Sequence, residues 1–374
     1  MASPAFVLEE AKLLANLATL AEIQQRAGVE IILALKAYAL WHTFPTVGRY
    51  LSGATASSLA EARLIYEEMG VRAHTYSPAY LPDEFADLLT FSSHLTFNSL
   101  AQYERYRTVL AAAKDNVSPG LRVNPEYSEV ETDLYNPASP TGRLGETLPN
   151  LPARLPEGIE GLHFHTLCES SSYAFERTLA VFEEKFSRYF DQIHWVNFGG
   201  GHLVTRADYD QEHLIKVLRA FRERYPHLKV LLEPGSAIAW QTGYLQSTVL
   251  DIITNHGVQT AILDVSFTAH MPDTLEMPYR PVVRGAVKDL LPGQFAYRLG
   301  GVSCLAGDYL EAYGFEQPLA VGDTILFEDM IHYTMVKTTF FNGVKHPAIA
   351  MQRTDGSVEI LRTFTYEDFK SRLG

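Results

Sequence analysis

Short segments rich in β-formers alternate with longer amphipathic segments across roughly the first 240 residues, and this rhythm constrains the fold more than any other feature of the chain. The pattern predicts strands at 31–36, 54–58, 74–77, 95–98, 120–124, 161–166, 195–198 and 230–233. Between them it predicts helices such as 58–69, 100–113, 173–190 and 211–225. Strand then helix, repeated eight times, is what a (β/α)8 TIM barrel requires. An open doubly wound sheet is the competing architecture, but it usually has fewer strands and a glycine-rich turn after the first one, which is absent here.

Beyond about residue 242 the texture changes to Val, Ile, Thr and aromatic residues with Pro and Gly turns. Strands are expected at 247–254, 259–264, 280–287, 324–327, 333–341 and 348–351. The expected division is therefore a barrel over 11–241 and a β-rich domain over 242–374, joined by an N-terminal strand within 1–10. The segment 136–156, rich in Pro and Gly, reads as a loop.

Charge and composition remove several classes of function. A formal net charge of -13 argues against nucleic acid, which needs clustered Lys and Arg, and favours a cationic substrate. No run of about eighteen apolar residues is present, so no membrane partner is expected. Residues 1–14 contain Glu9 and Glu10 and no basic segment ahead of an apolar one, so no secretory signal is expected. Two cysteines far apart, Cys168 and Cys304, fit reduced thiols in a cytoplasmic protein better than a disulfide framework.

In a barrel of this kind the C-terminal ends of the strands face one site. Strand one ends in Lys36, an amine behind the apolar run Ile31-Ile32-Leu33-Ala34-Leu35. Partial desolvation lowers a lysine pKa, and a neutral amine can hold an aldehyde as a Schiff base. Strand six ends in His163-Phe164-His165-Thr166, where His165, nearer the end, is placed to stack on a flat ring or position a carboxylate. Strand seven runs into Gly199, Gly200 and Gly201, whose uncovered N–H groups suit an anion. Strand eight ends in Glu233-Pro234-Gly235, and Glu233 suits a protonated ring nitrogen. Taken singly, each has a plainer reading: a solvated lysine, a core histidine, a flexible turn, a salt-bridged carboxylate. Together, a Schiff-base lysine, a phosphate cradle and a ring-nitrogen acid describe a pyridoxal 5'-phosphate site.

With these residues in view the chain resembles the fold type III pyridoxal-phosphate decarboxylases, the alanine racemase-like barrels. The resemblance rests on Ala34-Leu35-Lys36-Ala37, Phe164-His165, Phe198-Gly199-Gly200-Gly201 and Glu233-Pro234-Gly235. It continues through Ser303-Cys304-Leu305-Ala306-Gly307-Asp308, Asp329-Met330-Ile331-His332-Tyr333-Thr334 and Phe341-Asn342-Gly343. These last motifs are similar to the branch acting on carboxynorspermidine and carboxyspermidine in polyamine and spermidine biosynthesis. Leu305 stands where ornithine decarboxylases carry Asp and diaminopimelate decarboxylases usually carry Glu, which points to a longer substrate. Ser236 follows Glu-Pro-Gly where the family often has Arg or Glu, so the contact there is left open between phosphate and substrate.

The resemblance implies a carboxy-lyase. Glu233 favours decarboxylation over racemisation, since racemases of this fold place Arg opposite the ring nitrogen. Cys304 is implied as the proton donor to the carbanion, reaching with Asp308 into the site of a partner subunit in a homodimer. Tyr333 is implied as a phosphate ligand. Asp273, in a loop after Pro272, is a candidate anchor for a substrate ammonium. Diaminopimelate decarboxylase, an amino-acid racemase and a non-catalytic regulator are the alternatives on the same scaffold.

Overall fold

The computed structural model describes residues 3–113, 116–130, 135–276 and 279–374. It resolves into two compact units, one formed by Asn16–Ile238 and the other by Met1–Ala15 with Ala239–Gly374.

The first unit is a parallel (β/α)8 barrel. Ala54–Ala56, Ala73–Tyr76, Ser92–Phe97, Ser118–Arg122, Gly161–His163, Trp195–Asn197 and Lys229–Leu232 pair in chain order. The first strand is split: Glu30–Ile31 pairs with Lys229–Leu232, while Leu33–Ala34 pairs with Ala54–Ala56. One residue lies between the halves, and its N–H donates to Leu232 O at 2.9 Å. This seam closes the sheet, so no edge is left to pair with another chain.

Inside the barrel the Trp195 indole fills the space left by glycines on neighbouring strands. A Cβ on Gly161 would lie 2.0 Å from that ring, and one on Gly120 would lie 2.3 Å away. The indole N–H donates to Ser118 Oγ at 2.8 Å, which satisfies the group that burial would otherwise strand. Helices begin where a side chain can accept an orphan N–H. Ser58 caps Leu59–Met69, Ser99 caps Leu100–Ala111, Ser171 caps Ser172–Phe186 and Asp210 caps Gln211–Arg224. The third of these is shorter than predicted, because Ser187–Gln192 tightens into a 3-10 helix.

The second unit is a mixed sheet in the order Ala286–Val287, Tyr309–Phe315, Phe295–Gly300, Val258–Leu263, Gly243–Asn255, Ala5–Glu9, Ala348–Gln352, Val358–Arg362. Thr324–Glu328 pairs with Gly243–Asn255 beside this path. The N-terminal strand lies antiparallel to Gly243–Asn255 and parallel to Ala348–Gln352.

Two strand expectations are corrected here. Residues 333–341 form a helical turn, Tyr333–Val336, and later a 3-10 turn, Phe341–Gly343. Thr334 is the buried residue of the helical turn, and its hydroxyl donates to Asp273 Oδ2 at 2.9 Å, a bond that fixes the turn in place of strand pairing. Of 280–287 only Ala286–Val287 is strand. Three strands were not anticipated: Phe295–Gly300, Tyr309–Phe315 and Val358–Arg362. No helix among the described residues is long and apolar enough to cross a membrane.

Candidate active site

Lys36 stands in the turn just past the first strand rather than on the strand itself, because pairing stops at Ala34. The turn is held by Ala37 N–H donating to Ala34 O at 3.1 Å. The lysine surface is open to water, yet the protein around its nitrogen is as dense as in the interior. Burial lowers its pKa, the Glu233 carboxylate opposes that shift, and Arg122 adds to it.

Three further strand ends are knitted to this turn. A Cβ on Gly235 would lie 2.5 Å from the Ala37 side chain and 3.2 Å from Ala34 O, so only glycine allows the approach. A Cβ on Gly200 would lie 2.3 Å from Glu233 O. The Glu233 N–H donates to Gly199 O at 2.8 Å, and Glu233 Oε1 accepts from Asn197 Nδ2 at 2.7 Å. His163 Nε2 lies 3.8 Å from Glu233 Oε2. Burial raises the Glu233 pKa, while Asn197, Lys36, Thr55 and Arg122 favour its charged form.

The glycine run differs from the expected three-amide cradle. Gly199 N–H donates to Asn197 Oδ1 at 2.9 Å, and Gly200 N–H donates to His165 Nδ1 at 2.9 Å. Two of the three donors are thus spent inside the protein, and Gly201 is the one without an acceptor among the described residues. The glycines also serve close approach: a Cβ on Gly201, whose φ is +86°, would lie 2.1 Å from Leu167 O.

Because His165 Nδ1 accepts, a neutral ring carries its proton on Nε2. Burial, with Lys36 and Arg122 nearby, holds its pKa well below the ordinary histidine value. Ser236 opens the short helix Ser236–Ala239, half-buried, and its hydroxyl has no partner among the described residues.

Several buried polar residues here were not singled out from the sequence. Arg122 donates from Nη2 to His165 O at 3.3 Å and lies 4.6 Å over the Tyr76 ring. Tyr76 OH donates to Asn98 Oδ1 at 2.7 Å. Asn197 is 3% exposed and Arg122 4% exposed. The available signal was a lone amide and a lone cation inside apolar strands, since buried polar groups must be paired.

The remaining candidates lie in the second unit. Cys304 is an exposed free thiol, and its N–H donates to Asn342 Oδ1 at 2.9 Å. Asn342 adopts a φ of +56° in the Phe341–Gly343 turn. Asp308 is buried, and its carboxylate accepts from Ser303 Oγ at 2.6 Å, Ser303 N at 3.1 Å and Thr268 N at 3.0 Å. Those bonds join the Cys304 loop to the Phe267–His270 turn through the carboxylate, which shapes the loop that carries the thiol. Asp273 Oδ2 accepts from Tyr279 OH at 2.7 Å and from Thr334, whereas its buried Oδ1 has no donor among the described residues. Tyr333 begins the turn that carries Thr334, with the His332 ring 6.3 Å away edge-on.

A pyridoxal group fits the barrel site by the chemistry of its donors. An amine whose pKa burial lowers, a buried carboxylate that accepts from Asn197 and a spare glycine N–H stand on adjoining strand ends. Residues 65–331 match the family model for the pyridoxal-dependent decarboxylase C-terminal sheet domain. The chain belongs to the pyridoxal-dependent decarboxylases, and it is a decarboxylase.

Within that family its full-length similarity is to enzymes of carboxylated polyamines. It is 55% identical over 372 residues to carboxyaminopropylagmatine decarboxylase of Synechocystis, covering 100% of this chain and 95% of the relative. It is 43% identical over 380 residues to carboxynorspermidine/carboxyspermidine decarboxylase of Campylobacter jejuni, covering 99% and 98%. The crystal structure of Campylobacter jejuni carboxynorspermidine decarboxylase complexed with norspermidine superposes with a TM-score of 0.90 at 42% identity, covering 100% of both chains.

Proposed function

We propose that the chain releases carbon dioxide from a carboxylated polyamine, with pyridoxal 5'-phosphate held at Lys36. Carboxynorspermidine and carboxyspermidine are the first candidates. Carboxyaminopropylagmatine is the second reading, favoured by the 55% identity to the Synechocystis relative. The observation that carries the proposal is the knitting of Lys36, His165, the glycine turn and Glu233 into one cluster of strand ends.

Each side chain then has a task. The lowered pKa leaves more of Lys36 as the neutral amine that captures an aldehyde. Glu233, whose charged form is supported by Asn197 and Lys36 against the burial that raises its pKa, would hold a proton on a ring nitrogen. His165 presents a neutral ring with a fixed tautomer, and the spare N–H of Gly201 suits a phosphate oxygen, with Tyr333 as a further phosphate ligand. Ser236, with a free hydroxyl, is the additional donor at that end. Bound there, the cofactor supplies an electron-accepting ring that stabilises the charge left when carbon dioxide departs.

Cys304 is the proposed proton donor, on a loop shaped by Asp308. Exposed apolar residues surround it: Val302 is 39% exposed, Leu305 45% and Phe341 41%. A thiol ringed by apolar surface suits a face that another protein covers, which supports a homodimer in which Cys304 serves the partner's site. Asp273, with one buried oxygen lacking a donor, suits the ammonium of a cationic substrate. Two free thiols support a reducing cytoplasmic setting.

The test is carbon dioxide release from carboxynorspermidine, carboxyspermidine, carboxyaminopropylagmatine, diaminopimelate and ornithine. The carboxylated polyamines should exceed the other two by about 100-fold in kcat/KM, about 2.7 kcal/mol of discrimination. Fastest release from diaminopimelate would overturn the substrate assignment.

A further inference from the structure

Asn197, Gly199 and Glu233 close a ring of three hydrogen bonds. Glu233 N–H donates to Gly199 O at 2.8 Å, Gly199 N–H donates to Asn197 Oδ1 at 2.9 Å, and Asn197 Nδ2 donates to Glu233 Oε1 at 2.7 Å. The ring sets the orientation of the amide without ambiguity. A backbone N–H must face an oxygen, so the NH2 of Asn197 must face the carboxylate. Asparagine suits this place because one short side chain has to accept at one end and donate at the other. Aspartate cannot donate when charged, and a serine hydroxyl has only one polar atom to serve both partners.

We infer that Asn197 is a positioning residue for the decarboxylation, holding the Glu233 carboxylate in place and in its charged form through this ring. The inference rests on the reading of Glu233 as the acid opposite the cofactor nitrogen. Asn197 is 3% exposed, so its amide cannot exchange its partners for water, and a lost bond leaves a buried group unpaired. The ring also couples two parts of the site: displacing the glycine turn displaces the carboxylate, and the reverse. Thr55 acts on the same carboxylate and supports its charge from another strand.

Two substitutions separate the bonds. Asn197→Asp keeps the acceptor for Gly199 but replaces the donor to Glu233 with a second carboxylate oxygen. Two buried carboxylates so close cannot both ionise. Asn197→Leu removes both bonds at similar volume. The readouts are the dissociation constant of pyridoxal 5'-phosphate for the apoprotein and the pH profile of kcat/KM, each also measured on a Glu233→Gln background.

Both single variants should weaken cofactor binding by about tenfold, and Asn197→Asp should raise the acid limb by about one pH unit. On the Glu233→Gln background either change at Asn197 should add less than about twofold, because the group it acts through is gone. Tenfold losses on both backgrounds, or wild-type affinity and acid limb in Asn197→Asp, overturn the role of Asn197 alone. Wild-type binding and turnover in Glu233→Gln overturn the reading of Glu233 and this inference with it.

Discussion

The barrel-unit cluster and the Cys304 loop are built on opposite plans. Around Lys36 and Glu233 the strand ends are buried and cross-linked by hydrogen bonds among Asn197, His165, Glu233 and the glycine turn. Around Cys304 the thiol is exposed, Val302, Leu305 and Phe341 are exposed, and the anchoring bonds run inward to buried Asp308 and sideways to exposed Asn342. The first region is braced from strand end to strand end. The second is finished as a support and left open as a surface. A group that must hold a cofactor continuously gains from rigid enclosure, whereas a group that delivers a proton gains from a shaped but accessible mount.

The comparison can be broken at the enclosed region first. Lys36→Ala should reduce turnover by at least about a thousandfold and abolish the visible absorbance of lysine-bound cofactor. Retained absorbance and turnover would end the assignment. At the open region, Cys304→Ala should lower kcat by about 10- to 100-fold. Cofactor binding should survive and abortive transamination should increase, as product analysis would reveal. Wild-type rates in that variant would move the proton donor elsewhere.

Asn342→Ala tests the mount itself. It should slow kcat by about fivefold in the wild type and add little to Cys304→Ala, since paired effects through one group do not sum. Equal losses in both backgrounds would show that the turn serves general stability.

The smallest expected effect is on stability in acid. His74 and His94 stack 3.8 Å apart in the barrel, and burial, with neighbouring cations, keeps both neutral. The His94 pKa is lowered to about 4 from an unfolded value near 6.5. The native state therefore refuses a proton that the unfolded chain accepts. The stabilisation is present above about pH 6.5 and is lost as pH falls towards 4. Hydrogen exchange at pH 5 against pH 7.5 should show 73–76 and 92–97 opening more readily. Unchanged protection would show that the stack tolerates a charge.

Much of the barrel was legible because short β-forming runs, several of them fully buried as at Ala54–Ala56 and Trp195–Asn197, recur between amphipathic helices. The ends of those runs were not, since hydrogen-bond partners rather than hydrophobicity decide where pairing stops, as at Lys36. The region 333–341 misled because β-branched and aromatic residues carry only a context-dependent strand preference, and the bond from Thr334 to Asp273 is made from a helical turn. Lys36, Glu233 and the glycines were visible as unusual residues at strand ends. That two glycine amides are spent on Asn197 and His165 was invisible, because it depends on which side chains lie across the barrel. The bonding of Asp308 to Ser303 and Thr268 was hidden for the same reason.

The split first strand carries a consequence for how the enzyme is made. The turn bearing the reactive amine is backed by Pro234 and Gly235, and its strand finds one of its two neighbours only in Lys229–Leu232. A growing chain therefore exposes this lysine about two hundred residues before its recess exists. On the proposed role of Lys36, vitamin capture would belong to the last stage of maturation, and nascent fragments ending short of that closing strand should emerge colourless.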